Sequence, residues 1–186
     1  PRWALDHPYQ QSASKGYEAD GLLYLKSGSK EQNILAKQGD DLRIDWGYFY
    51  MVAGKENTAY SVGNSTELRK NFVNGTLNSA SLEGEDSNGN MALVRSHGKV
   101  KNVTDKIMLG YDDIYSIQYF GTNLRPYWNS KGDRTIEAEM LAAYNEYDKL
   151  LARCYAFDKK LMEDASAAGG KEYAELCALA YRQSIA

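Results

Sequence analysis

Asp112 and Asp113 stand side by side directly after the strand-like run from Ile107 to Tyr111. Two neighbouring carboxylates in such a place can share a proton or hold a polar substrate. The simpler role is also the favoured one, because a helix start attracts aspartate for capping and for the positive end of its dipole. Arg125-Pro-Tyr-Trp128 sets a cation beside two aromatic rings. That composition suits recognition of a sugar or an amino acid, and it suits pinning a loop against a neighbouring helix equally well, which is the default.

His7 and His97 are far apart, with no Ser, Cys or Asp beside them in a nucleophile motif, and they read as surface or structural residues. The sequence contains no Gly-x-Ser-x-Gly elbow, no phosphate-binding glycine loop and no His-Glu-x-x-His pair. Asp86-Ser-Asn-Gly-Asn90 lacks the closing glutamate and the glycine spacing of a calcium loop, so it reads as a turn. Cys154 and Cys177 have neither a Cys-x-x-Cys partner nor a histidine cluster, which gives no indication of zinc. They flank Gly169-Gly170, so a disulfide across a helical turn is one reading; free thiols on a packed face are the favoured one. Asn64-Ser-Thr66, Asn74-Gly-Thr76 and Asn102-Val-Thr104 match the glycan acceptor pattern, which matters only in a eukaryotic secretory pathway.

The elements that must position these residues change character along the chain. Up to about Gly110 apolar residues come in short bursts, as in Gly21-Leu-Leu-Tyr-Leu-Lys26 and Asn90-Met-Ala-Leu-Val-Arg95, which is strand punctuation. Leu42, Ile44 and Trp46 alternate with Arg43, Asp45 and Gly47 before Tyr48-Phe-Tyr-Met-Val-Ala53 becomes apolar on both faces. Such a strand begins half exposed and ends buried. Lys26-Ser-Gly-Ser-Lys30, Lys37-Gln-Gly-Asp-Asp41 and Glu83 to Asn90 read as turns. One short helix is expected between them, capped by Ser65 or Thr66, with Leu68 and Phe72 on one face and Asn74-Gly75 at its end.

After Tyr111 the period lengthens to about 3.6. The first helix is expected over Asp112 to Phe120, with Asp112 as its N-cap and Gly121 as its stop. A long amphipathic helix follows from Thr135 to about Ala168, on which Ile136, Met140, Tyr144, Tyr147, Leu151, Cys154 and Leu161 form the apolar stripe, with Tyr144 and Tyr147 as core. Gly169-Gly170 breaks it, and a second helix runs from Lys171 through Tyr173, Leu176, Cys177 and Tyr181 to Ile185 without a stop signal.

With 186 residues and 43% hydrophobic composition, the chain is long enough for one large or two small domains. Lys plus Arg total 22 against 25 Asp plus Glu, and no basic stripe is present for a phosphate backbone, so nucleic acid is not an expected partner. Its apolar runs fall far short of the ~20 residues that a membrane helix needs. Residue 1 is Pro rather than Met, so a preceding signal peptide or lipid anchor would not be seen.

Five or six strands are too few to close a sandwich over about 110 residues, and the last helix reads as cut rather than finished. The expected fold class is α+β: residues 1–110 as the C-terminal part of an antiparallel β-sandwich, and residues 111–186 as the first helices of a helical domain.

Leu109-Gly-Tyr-Asp-Asp-Ile-Tyr-Ser-Ile-Gln-Tyr-Phe-Gly121 with Leu124-Arg-Pro-Tyr-Trp128 resembles the secreted glutaminase A family of bacteria and fungi. So do Arg43-Ile-Asp-Trp-Gly-Tyr-Phe-Tyr50, Arg153-Cys-Tyr-Ala-Phe-Asp158 and the stretch from Ala168 to Gln183. The resemblance covers essentially the whole chain in ordered blocks. It implies a β-sandwich followed by a helical domain similar to an α/α toroid, a secreted or periplasmic location with possible surface anchoring, and a parent that hydrolyses L-glutamine to L-glutamate and ammonia. It also implies that the segment alone is inactive and that its partners are the remaining domains of the parent and glutamine.

No family motif carries a nucleophile or base onto this chain, so the catalytic residues stay unassigned, and no cofactor or metal is expected. If the segment touches substrate, Asp112, Asp113 and Arg182 are the expected contacts, the Arg182 guanidinium being suited to an α-carboxylate. Two other readings remain: a glycoside-hydrolase-like enzyme of sandwich plus α/α toroid, and a non-catalytic module binding carbohydrate or a protein partner.

Overall fold

A computed structural model describes residues 11–36, 45–77 and 90–184 of the chain. The chain divides into two compact units, Pro1–Leu141 and Ala142–Ala186. The fold is α+β, an antiparallel sandwich-like arrangement of sheets followed by two helices.

In chain order the elements are β1 (Ser12–Ala19), β2 (Leu22–Ser29), β3 (Tyr48–Gly54), β4 (Thr58–Gly63), α1 (Ser65–Val73), β5 (Asn90–Arg95), β6 (Met108–Asp112), β7 (Ile117–Tyr119), β8 (Thr122–Leu124) and α2 (Ile136–Ser184). Strands β1, β2, β3 and β6 lie in that order in one antiparallel sheet, β4 pairs with β5, and β7 with β8. Asp20 and Gly21 join β1 to β2 with φ values of 50° and 78°, the doubly left-handed turn that matches the twist of two short-looped strands.

Because side chains alternate across a strand, the four-stranded sheet has two unlike faces. Leu23, Leu25 and Met51 point one way and pack with Tyr60 and Val62 of β4 and Met91 and Leu93 of β5. Leu25 is 0% exposed, and each such side chain contributes about 1.5–3 kcal/mol by leaving water. Gly16 sits on the same face, where a Cβ would collide with the Tyr60 ring. Ser12, Ser14, Ser27 and Ser29 form a buried polar row there, with the Ser14 and Ser27 hydroxyls 2.8 Å apart. The opposite face carries Lys15, Tyr17, Tyr24, Lys26, Tyr48, Tyr50, Gly110 and Asp112.

The expected short helix is α1, and its cap lies one residue earlier than expected: Asn64 Oδ1 accepts from the Thr66 N–H at 2.8 Å. Leu68 is its buried contact, whereas Phe72 is exposed. The expected turn at Lys26–Lys30 is instead strand, since β2 continues to Ser29. Small residues suit this centre of the sheet, because at Gly28 an added Cβ would come within 2.5 Å of the Gly47 carbonyl oxygen. Of the strand expected from Leu42, residues 42–44 lie outside the described residues, and the ladder begins at Tyr48. His7 and most of the turns expected at 37–41 and 83–90 also lie outside them.

The helix expected over Asp112 to Phe120 is not formed. Asp112 ends β6, and Ile117 to Leu124 make the β7–β8 hairpin. Tyr115, Ile117 and Tyr119 also alternate at a period of two, and β-branched and aromatic residues favour the strand. Gly121 does take positive φ, 78°, but with Phe120 at 46° it closes a hairpin and not a helix.

Helix α2 contains the expected break: Gly170 has φ 80° and ψ −174°, a conformation essentially restricted to glycine. The Phe157 and Tyr181 rings on the two arms lie 5.0 Å apart, so the arms return alongside one another as a helical hairpin. The apolar stripe is not a closed core. Ile136 and Met140 at its start are buried as expected, whereas Tyr144 is half-buried and Tyr147 exposed; Ala165 and Ala174 are the further buried positions. No helix among the described residues is long and apolar enough to cross a membrane.

Candidate functional site

Asp112 and Asp113 lie where β6 leaves the sheet. The Asp112 carboxylate accepts the Ile114 N–H at 3.0 Å, closing a tight turn rather than capping a helix. Ile114 follows with φ 60°, an outlier for a β-branched residue and a mark of local strain. Asp113 contributes its backbone: its carbonyl accepts from Trp46 Nε1 at 2.7 Å, and the Tyr115 carbonyl accepts from the same indole at 3.0 Å. The Tyr111 hydroxyl donates to the Trp46 carbonyl. Burial pushes the Tyr111 phenol up to about 12, with the charges of Asp113, Asp45 and Asp112 adding to it. Among the described residues no hydrogen bond joins the two carboxylates, so the structure does not show them sharing a proton.

Asp112 faces a second group of side chains. Its ladder partner is Tyr48, and Lys26 lies with its ammonium 3.8 Å from the centre of the Tyr48 ring and 5.5 Å from that of Tyr50. Tyr17 and Tyr24, opposite each other on β1 and β2, stack with centroids 5.2 Å apart. Both reach the first turn of α2: the Tyr17 hydroxyl donates to Glu137 Oε1 at 2.6 Å, and the Tyr24 hydroxyl to the Glu137 carbonyl at 3.3 Å. Beside them, an added Cβ at Gly110 would lie 2.8 Å from Met140 Sδ, so the missing side chain lets Met140 seat against β6.

The electrostatics follow from this enclosure. Burial raises the pKa of Tyr17, Tyr24 and Tyr50, and the negative charge of Glu137 raises each further. These phenols stay protonated at neutral pH, and those of Tyr17 and Tyr24 donate hydrogen bonds to Glu137. Burial lowers the pKa of Lys26, Glu137 and Asp112 oppose that shift, and Lys15 reinforces it. The arrangement can bind and orient a polar or charged group.

The other sequence candidates are placed elsewhere. The Arg125 guanidinium lies 5.0 Å from the Tyr115 ring centre, pinning its loop, while Tyr127 is 96% exposed. His97 Nε2 is 3.0 Å from Asp105 Oδ2, and the same carboxylate takes Arg95 in a two-pronged contact of 2.7 and 2.9 Å. That contact holds the Asp105 pKa below its ordinary value. Arg95 Nη1 also reaches the Gly54 and Glu56 carbonyls at 2.6 and 3.0 Å, so the group clamps a loop to the β3–β4 turn. Cys154 and Cys177 are free thiols, the first exposed and the second half-buried. Among the described residues no three His, Cys, Asp or Glu converge on a metal-sized site.

Arg182 is exposed in the last turn of α2 and belongs to the second unit, whereas Asp112 and Asp113 belong to the first. Sequence reasoning missed Tyr17, Lys26 and Glu137. The available signal was Lys15-Gly-Tyr17 against Tyr24-Leu-Lys26, since a spacing of two places each lysine and tyrosine on one strand face.

No curated protein and no solved structure matches the chain. A family model matches residues 1–164, and the chain belongs to that family, described as a domain of unknown function, DUF5127.

Proposed function

We propose that this chain is a segment of a secreted or periplasmic hydrolase of the glutaminase A type, whose parent converts L-glutamine to L-glutamate and ammonia, and that the segment alone is inactive. The observation that supports this reading most directly is how the resembling blocks meet. Trp46 and Tyr48 of one block bond to Tyr111, Asp112 and Asp113 of another, and Phe157 of a third packs on Tyr181 of the fourth. Residues far apart in sequence are thus alike in the places where they touch, as expected of a shared architecture.

On this reading residues 1–110 belong to the sandwich and residues 111–186 open a toroid-like domain. Leu150, Tyr155, Leu176 and Leu179, between 51% and 65% exposed, are then covered by further helices of the parent. Asp112 is the best placed of Asp112, Asp113 and Arg182 to meet substrate, beside Lys26 and Tyr48. The test is ammonia release from L-glutamine by the full-length natural protein and by this chain. Release by the first alone is the expected result, and a full-length protein inert toward glutamine removes the substrate assignment.

The exposure of Tyr119, Phe120 and Tyr127, at 61%, 91% and 96%, favours a second reading, in which these rings stack on sugar. Sugar release without ammonia from an oligosaccharide panel would make the parent a glycosidase. Glycan binding without turnover would make this segment a binding module.

A further inference from the structure

Lys26 is half-buried, and among the described residues its ammonium makes no hydrogen bond and has no carboxylate within ion-pair distance. Its close neighbours are the faces of Tyr48 and Tyr50. Ring faces replace only part of the hydration that an ammonium loses on burial. Directly across the β1–β2 ladder stands Lys15, a second cation on the same face, whose ammonium lies 5.4 Å from the Tyr17 ring centre. Like charges directly opposite on a ladder repel.

The nearby acids do not pair with Lys26 directly. The Asp112 carboxylate is engaged by the Ile114 N–H and that of Glu137 by the Tyr17 hydroxyl, and both act on Lys26 through space. Two cations beside half-buried and buried aromatic rings therefore have no directly paired carboxylate among the described residues.

We propose that Lys15, Lys26 and Tyr48 form a binding site for the carboxylate of a small organic acid whose apolar part lies along the edge of the Tyr48 ring, the face being covered by the Lys26 ammonium. A single negative charge fits better than a multiply charged one, because Asp112 and Glu137 hold two negative charges close by and repel a dianion. The site goes beyond the glutaminase reading and does not depend on it.

The test uses the whole chain with its lysines reductively methylated with carbon-13, which keeps each ammonium charged and gives each lysine its own NMR signal. The Lys15 and Lys26 signals, assigned by their loss in Lys15→Gln and Lys26→Gln, should move together and saturate on titration with benzoate, and should not respond to inorganic phosphate at equal ionic strength. Lys26→Gln should weaken benzoate binding at least about tenfold, and Lys15→Gln by a smaller factor. Absence of saturation, or unchanged benzoate affinity in a folded Lys26→Gln chain, overturns the proposal; preference for phosphate overturns the ligand class. If Lys26→Gln does not fold, the titration of the wild-type chain and the Lys15→Gln variant still decide between these outcomes.

Discussion

Tyr24, Leu25, Val52 and Ala53 of the sheet unit are wholly withdrawn from water, whereas in the second unit, Ala142–Ala186, Ala165 and Ala174 are the buried apolar side chains among the described residues. Both regions follow their periodic patterns faithfully. What differs is that the sheet has a second sheet to cover its apolar face, while the hairpin's large side chains meet mainly each other and solvent. Periodicity specifies which way a side chain points, and only packing decides whether that direction is the inside.

The sharpest way to break this contrast is to cut into both regions. Leu25→Ala should destabilise the chain by about 2–5 kcal/mol in urea unfolding followed by tryptophan fluorescence, because the sandwich cannot collapse onto the lost volume. Gly170→Ala should cost about 1–3 kcal/mol of hairpin stability, read from the helical circular dichroism melt, since the required backbone conformation excludes a Cβ.

A smaller effect separates the sheet unit by pH. The Asp105 pKa is depressed by Arg95 below its ordinary 3.8, so the carboxylate's contribution is complete above that value and is lost as pH falls through the lower, folded value. Between pH 6 and pH 2 the wild-type chain should lose more stability than Asp105→Asn, by about 0.5–1 kcal/mol in parallel denaturation curves, the pair lying close to solvent that screens it. The smallest effect belongs to the hairpin. Leu176→Ala, at a position 61% exposed, should change stability by less than about 0.5 kcal/mol, and a clearly larger loss would show that the hairpin has a core of its own.

The same contrast explains what could be read from residues alone. Glycine at Gly170 and the Asn74 end of α1 act through local backbone geometry, which one short stretch carries in full, and both helices were legible there, although the N-cap of α1 is Asn64 and not Ser65 or Thr66. Asp112 to Phe120 was misread because its apolar residues satisfy both a three-to-four and a two-residue spacing. The tie was broken at Asp112 by the pairing of β6 with β3, a partner some sixty residues earlier that no local pattern names, and at Ile117 to Tyr119 by the hairpin partner Thr122 to Leu124. The Lys26 site was hidden for a similar reason. Lys26 looked like the start of a turn, and its meaning depends on Lys15, Tyr48 and Glu137, supplied by three other elements. Asp112 was noticed for its charge, but its turn-closing bond needed the outlying backbone of Ile114 to be seen.

The bond from the Tyr17 hydroxyl to Glu137 spans 120 residues of chain. A ribosome adding roughly 5–20 residues per second would deliver Glu137 some 6–24 seconds after Tyr17. The first hairpin therefore leaves the exit tunnel with its aromatic face uncovered, and β3, its neighbour across β2, is made before the helix arrives. Synthesis order thus favours a nascent sheet that waits for its lid, and a chaperone holding that face would meet tyrosine and lysine rather than a greasy strand.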